Sequence, residues 1–280
     1  MIFGEDGAEQ AGPDLADSAP PTAVSAQDEK RLSQVRNALR RNEVALAYQP
    51  VMLAASGGAP AFYEGLIRIL DDSGRVIPAR DFMRAVETTE TGRLIDCRAL
   101  QLGLKALVEQ PALRLAINMS ARSIGYPAWQ KTLNEQLASH PSIADRLILE
   151  ITENSAMLMP DLVTVFMNDL QSRGIAFALD DFGSGYTAFR YLREFYFDII
   201  KIDGQFIHGI HTDADNQVLT RALISIGRHF NMFTVAEGVE SAEDARFLQA
   251  AGIDCMQGYF FGPPSLTPAW ARQEEQQISA

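Results

Sequence analysis

Apolar residues along this chain recur with two periods. Strand-like runs over Val44–Leu53 and Ala61–Ile69 flank a turn-rich stretch, Ala54–Pro60, that contains Ser56-Gly57-Gly58. That connection is too short for a crossover helix, so the two strands are expected to pair antiparallel. Further strands are expected at Leu113–Met119, Arg146–Ile151, Ile175–Leu179, Asp198–Ile202, Met232–Val235 and Cys255–Gln257. Helical segments alternate with them, over Ala79–Val86, Gly92–Glu109, Ala128–Ser139, Asp161–Arg173, Ala188–Glu194, Asp215–Phe230, Ala242–Ala251 and Thr267–Gln277. In the segment after Asp161, Leu162, Val163, Phe166, Met167 and Leu170 share one helical face, and Gly174 follows as a stop. Ser241 and Asp244 have cap spacing before the next-to-last helix, which Gly252 ends. One hairpin followed by repeated strand–helix units predicts a closed α/β barrel with one antiparallel strand. An open doubly wound sheet is the alternative, and no internal repeat is evident.

An additional helix is expected over Glu29–Arg41, and the barrel unit is taken as residues 29–280. Residues 1–28, rich in Ala, Pro, Gly, Ser and acidic side chains, read as a disordered tail or linker. With 280 residues, 47% of them hydrophobic, one barrel domain can absorb the rest of the chain. A net charge of −12 argues against a phosphate-tracking surface, so no direct DNA or RNA binding is expected. Cys97 and Cys255 lie alone in apolar stretches and read as reduced core thiols. The N-terminus lacks a basic and apolar leader pattern, and no apolar stretch is long enough to span a bilayer. The reading is therefore a cytoplasmic protein without a membrane segment.

Charge changes the picture at the strand ends, where barrel enzymes keep their chemistry. Glu64 and Arg68 share a face of the second strand, with Leu66 between them. Later strands end in Asn118, Glu150 to Glu153, Asp180-Asp181, Lys201 to Asp203, Glu237 to Glu240, and Gln257. One acidic strand end is ordinarily a loop residue or a helix cap. Carboxylates at one strand end after another, all meeting at one barrel mouth, repel each other unless cations intervene. The donors are oxygen without Cys or His, which suits Mg²⁺ or Mn²⁺. The histidines His140, His208, His211 and His229 read as structural or exposed. Adjacent Asp180 and Asp181 can serve two metals that clamp an in-line displacement at phosphorus. Lys201 can then orient water or stabilise phosphate charge, and Arg68 can hold a phosphate oxygen as a fork.

Gly183-Ser184-Gly185-Tyr186-Thr187-Ala188 also fits the glycine pattern of dinucleotide cofactor sites. Asp180 and Asp181 would set two negative charges against the pyrophosphate, and the motif lies on the fifth strand, so this reading is rejected.

In order along the chain stand Tyr48-Gln49-Pro50, Glu64-Gly65-Leu66-Ile67-Arg68, Asn118-Met119-Ser120 and Glu150-Ile151-Thr152-Glu153. Asp180-Asp181-Phe182-Gly183-Ser184-Gly185-Tyr186, Lys201-Ile202-Asp203, Ala236-Glu237-Gly238-Val239-Glu240 and Gln257-Gly258-Tyr259 follow. From Tyr48 to Pro264 this series resembles the EAL domain of cyclic dinucleotide phosphodiesterases. The resemblance implies a (β/α)8 TIM-like barrel with its first strand reversed. It implies hydrolysis of c-di-GMP to linear pGpG with two Mg²⁺ or Mn²⁺, lowering c-di-GMP signalling. By the resemblance Glu64, Asn118, Glu150 and Asp180 ligate one metal, and Asp180, Asp181 and Glu237 serve the second. Glu237 is alternatively the general base. Lys201 positions the water, and Glu153 braces the Asp180–Tyr186 loop. Gln49, Leu66, Arg68, Asp203, Glu240, Gln257 and Pro264 line the substrate or support the ligands. A homodimer through the helices beside that loop is expected by the same analogy. The sequence departs from the pattern at Gly65, which replaces an alanine and loosens the strand, and at Ala188, Phe189 and Arg190. A non-catalytic c-di-GMP receptor and a signalling scaffold are the alternatives. The complete ligand set favours the enzyme.

Overall fold

The computed structural model describes residues 26–55, 59–184, 192–268 and 270–271. The tail expected over residues 1–28 falls almost wholly outside them, as does the Ser56-Gly57-Gly58 turn. The helices expected over Ala188–Glu194 and Thr267–Gln277 also fall largely outside.

The described chain opens with helix α1 (Ala26–Arg41), strand β1 (Val44–Leu53), strand β2 (Pro60–Leu70) and a two-residue strand β3 (Val76–Ile77). Helices α2 (Met83–Val86) and α3 (Glu90–Glu109) lead to β4 (Leu115–Asn118), α4 (Pro127–Ser139) and β5 (Leu147–Thr152). Then come α5 (Glu153–Leu158), α6 (Pro160–Gln171), β6 (Ala176–Phe182), β7 (Ile199–Ile202) and α7 (Ala214–His229). The run ends with β8 (Phe233–Ala236), α8 (Ala242–Ala251) and β9 (Cys255–Met256).

The strands close in the order β1-β2-β4-β5-β6-β7-β8-β9 and back to β1. β1 is antiparallel to both β2 and β9, and the remaining pairings around the ring are parallel. This is the TIM-like barrel with a reversed first strand, and the open sheet is excluded. A Gln49↔Glu64 pair sits within the β1–β2 register. The parallel strands read as continuous apolar runs because helices cover their outer faces. β5, for example, is buried from Leu147 through Ile151.

Two features were not anticipated. β3 pairs back onto β2 through a turn held by Asp71, whose carboxylate accepts from Ser73 N and Arg75 N. α5 begins at the end of β5, where Thr152 accepts from Ser155 N as a side-chain cap. On α6 the buried face is Val163, Phe166, Met167 and Leu170, whereas Leu162 is exposed. Pro160 starts α6, and a buried stripe at 163, 166, 167 and 170 leaves Leu162, one residue before it, on the flank of that face. Gly174 stops the helix as expected: Ile175 N reaches back to Leu170 O and Gly174 N to Gln171 O. Ser241 caps α8 by accepting from Asp244 N.

The barrel interior is plugged by one apolar side chain from each of the eight strands of the ring. Val51, Phe62, Ala116, Ile148, Ala178, Ile199, Val235 and Cys255 form one buried cluster. The larger core lies between the strands' outer faces and the helices. Both cysteines are buried free thiols, and burial pushes each up to about 11. Among the described residues no helix is long and apolar enough to cross a membrane.

Candidate active site

Side chains two residues apart on a strand point the same way. One step of two beyond the apolar plug, toward the C-terminal ends of the parallel strands, lie Glu64, Asn118, Glu150, Asp180, Lys201, Glu237 and Gln257. On the reversed β1 the same step runs backward and reaches Gln49. The barrel therefore carries a polar ring directly on an apolar one, with each strand contributing to both.

Lys201 occupies the centre of that ring and is 0% exposed. Its Nζ lies 2.7 Å from Glu237, 2.9 Å from Asp180, 3.0 Å from Glu150 and 3.3 Å from Glu64. One ammonium faces four carboxylates, so negative charge stays in excess even with Lys201 protonated. Burial alone would lower its pKa. The carboxylates, Asp180 first, instead hold it well above the ordinary lysine value.

The carboxylates respond differently to sharing one cation. Burial pushes Glu150 well above the usual range, and Glu64 adds to this. Burial likewise raises Glu237 to about 8 against relief from Lys201, and Asp180 and Glu64 add to the rise. Glu64 is buried too, but Lys201 and hydrogen bonds from Gln257 and Asn118 bring it below the usual value. Gln257 Nε2 donates to Glu64 at 2.6 Å and to Gln49 at 3.1 Å, and Asn118 Nδ2 donates to Glu64 at 2.7 Å. Gln49 in turn donates to Gly262 O.

Asp181 departs from strand geometry. Side chains of neighbouring strand residues normally face opposite ways, yet β6 pairs irregularly with β7 between Leu179 and Phe182, and Asp181 sits at φ 55°. That left-handed turn brings oxygens of Asp180, Asp181 and Glu237 within 4.8 Å of one another. Burial, then Asp180 and Asp203, raises Asp181 to about 6. Glu153 lies behind this turn and accepts from Gly183 N at 3.0 Å. Residues 185–191, which include the rest of the Asp180–Tyr186 loop, lie outside the described residues.

Above the ring opens a cleft of about 520 Å³. Gln49, Leu66, Arg68, Asp203, Glu240, Gln257 and Pro264 all line it, together with Glu64, Asp181 and Glu237. Asn118, Glu150, Asp180 and Lys201 do not line the cleft but connect to residues that do: Asn118 and Lys201 contact Glu64, and Lys201 contacts Glu150, Asp180 and Glu237. Asp203 also caps the turn after β7 by accepting from Gln205 N. His208 and Tyr259 line the cleft as well. His208, read above as structural or exposed, has its Nδ1 4.0 Å from Glu240. It follows β7 in a strand-to-helix loop, and such loops build the mouth of a barrel, which is the signal that points to it.

The donor set fits hard divalent cations. It is all oxygen, and Glu150 Oε1 and Gln257 Oε1 are buried without a hydrogen-bond partner. Asp180 Oδ1 meets Lys201 as an ion pair but off hydrogen-bond geometry.

The model of the EAL domain family matches residues 32–264. The bifunctional diguanylate cyclase/cyclic di-GMP phosphodiesterase MucR of Pseudomonas aeruginosa is 30% identical over 86% of this chain and 36% of its own length. Cyclic di-GMP phosphodiesterase PdeB of Shewanella oneidensis is 29% identical over 88% of this chain and 29% of its own. The chain thus spans about a third of the length of these curated relatives. A solved structure of the Pseudomonas aeruginosa MucR phosphodiesterase with c-di-GMP superposes with a TM-score of 0.74 at 30% identity, covering 86% of this chain and 98% of that one. Barrel topology, the ordered strand-end motifs and the family match agree, and the chain belongs to the EAL domain family.

Proposed function

We propose that the cleft hydrolyses one phosphodiester bond of c-di-GMP to give linear pGpG. The observation that carries this reading is the set of oxygen donors around Lys201 on the barrel floor, with carboxylate oxygens of Asp180, Asp181 and Glu237 brought together. Glu64, Asn118, Glu150 and Asp180 would hold one Mg²⁺ or Mn²⁺, and Asp180, Asp181 and Glu237 the second. When bound, the ions supply Lewis acidity toward the phosphate and acidify water. Lys201 then holds the attacking water or the phosphate charge from below. Arg68 sits on the cleft wall as a guanidinium fork for a non-bridging oxygen. Glu237, near 8 without cations, serves as second-metal ligand or as the base that takes the water proton. Glu153 keeps the Asp181 turn in place through Gly183 N. Gln49 and Gln257 hold Glu64 in its orientation, and Leu66, Asp203, Glu240 and Pro264 border the space for the nucleotide.

The test is incubation of the protein with c-di-GMP and Mg²⁺ or Mn²⁺, with nucleotides separated by chromatography. Linear product is expected, abolished by chelator and reduced at least a hundredfold in Glu64→Ala. Binding of c-di-GMP without product under either ion would replace this reading by a receptor.

The exposed Leu158, Leu162 and Val165 support a homodimer through α5 and α6, the helices that precede β6. The unit over residues 29–280 is proposed as the catalytic domain, and residues 1–28 as its tether.

A further inference from the structure

We infer that a cavity between α1, α3 and α4 is a second ligand site, for a soluble phosphate monoester with an apolar body of nucleotide size. The cavity measures about 720 Å³, larger than the cleft, and shares none of the cleft's lining residues. Its volume lies in the range of small-molecule sites.

The cavity reverses the sign of the molecule. On a chain of net charge −12, Arg36, Arg40 and Arg98 all line it, against Glu90 as its one acidic residue among those described. Among the described residues none of the three guanidiniums pairs with a carboxylate. Arg36 Nε donates to Thr91 Oγ1 at 3.1 Å, Arg40 Nη2 to Asn37 Oδ1 at 2.6 Å and Arg98 Nη1 to Gln101 Oε1 at 2.8 Å. Each bond is to a neutral acceptor and leaves other N–H donors over. Arg98 Nε is buried with no hydrogen-bond partner among the described residues. That N–H is a donor open to an oxygen acceptor, and an anion supplies one.

Two helix starts add to the field. Glu90 and Thr91, in the first turn of α3, and Ala128, in the first turn of α4, line the same cavity. The N-terminal end of a helix carries a partial positive charge. α3 is capped by Thr89, whereas no side chain caps α4. Apolar surface from Leu94 and Ala128 on the walls suits the body of the ligand, and the arginines suit its phosphate. The chemistry singles out a phosphate ester over free phosphate, which would leave the apolar walls unused.

The experiment is calorimetric titration of the full chain in chelator with AMP, and in parallel with inorganic phosphate. Sedimentation with phosphatidic acid vesicles tests a lipid as the source of the phosphate. Saturable AMP binding is expected, at least tenfold tighter than that of phosphate. It should weaken at least tenfold in Arg40→Gln and in Arg98→Gln, and stay within twofold in Glu64→Gln. Arg40 lies on the exposed side of α1, so its variant carries the test if Arg98→Gln does not fold. No saturable AMP binding overturns the inference. So does AMP binding that Glu64→Gln removes and Arg40→Gln spares, because the probe is then in the cleft. Vesicle binding without AMP binding overturns it too.

Discussion

Removing the ammonium of Lys201 leaves the carboxylates of the barrel floor facing each other without a counter-charge. Breaking a buried ion pair by deleting one partner costs about 3–5 kcal/mol. Lys201→Met should lose about that much in denaturant titrations run in chelator, and Mn²⁺ should recover part of it, since cations then replace the ammonium. An equal loss with and without Mn²⁺ would show that the cluster does not take up the ion. Asp96 offers a second residue-scale test, away from the cleft floor. It accepts from Ser120 N at 2.9 Å and Ser123 Oγ at 2.6 Å, and burial raises it to about 6 against 3.8 when unperturbed. The folded state therefore keeps this proton longer than the unfolded chain. Its contribution is fully present below about pH 4 and is lost as pH rises through 6. After discounting for partial exposure the loss is about 2 kcal/mol. Asp96→Asn keeps an acceptor for both donors and should flatten that slope in chemical denaturation across pH 4 to 7. An unchanged slope would assign it to other groups. Residues of the ring were legible because carboxylates at strand ends have no packing role. His208 was not, because a loop histidine carries no periodic signal.

At the scale of elements, the glycine of the second strand is filled space rather than slack. A Cβ on Gly65 would stand 2.8 Å from Ile117 Cδ1, and one on Gly103 of α3 2.6 Å from the same atom. Ile117 thus packs into room that β2 and α3 both leave by lacking a side chain. The floppier strand expected from Gly65 is offset by this contact. Gly65→Ala should cost about 1 kcal/mol through overpacking, and Ile117→Val about as much alone. Combined, they should cost less than their sum, because valine lacks the offending methyl. Strict additivity in thermal melts would refute this account. The hairpin of β1 and β2 was legible from one short connection. β3 and α5 were not, because two and six residues span too little of either period. Thr152 did carry a cap signal for α5, but it was hidden within a run that also reads as strand.

Across the whole molecule, the alternation of buried runs and amphipathic helices was enough to indicate barrel closure. What the pattern did not reveal was the stacking of polar ring on apolar ring, since that needs the register between strands. The exposed face of α5 and α6 gives the assembly-scale prediction. Val165, 68% exposed, should tolerate Val165→Asp in the monomer, while sedimentation velocity should show the dimer dissociating at least tenfold more readily. A variant that sediments like the parent would place the contact elsewhere. The apolar plug has a consequence for traffic. With Phe62, Ile148, Val235 and their neighbours filling the interior, the cleft is a cul-de-sac with no passage through the barrel. Whatever enters must back out through the opening that the next molecule needs. If the cleft acts as proposed, a linear product that lingers beside Arg68 would stall the queue, so departure as well as bond cleavage would set the pace.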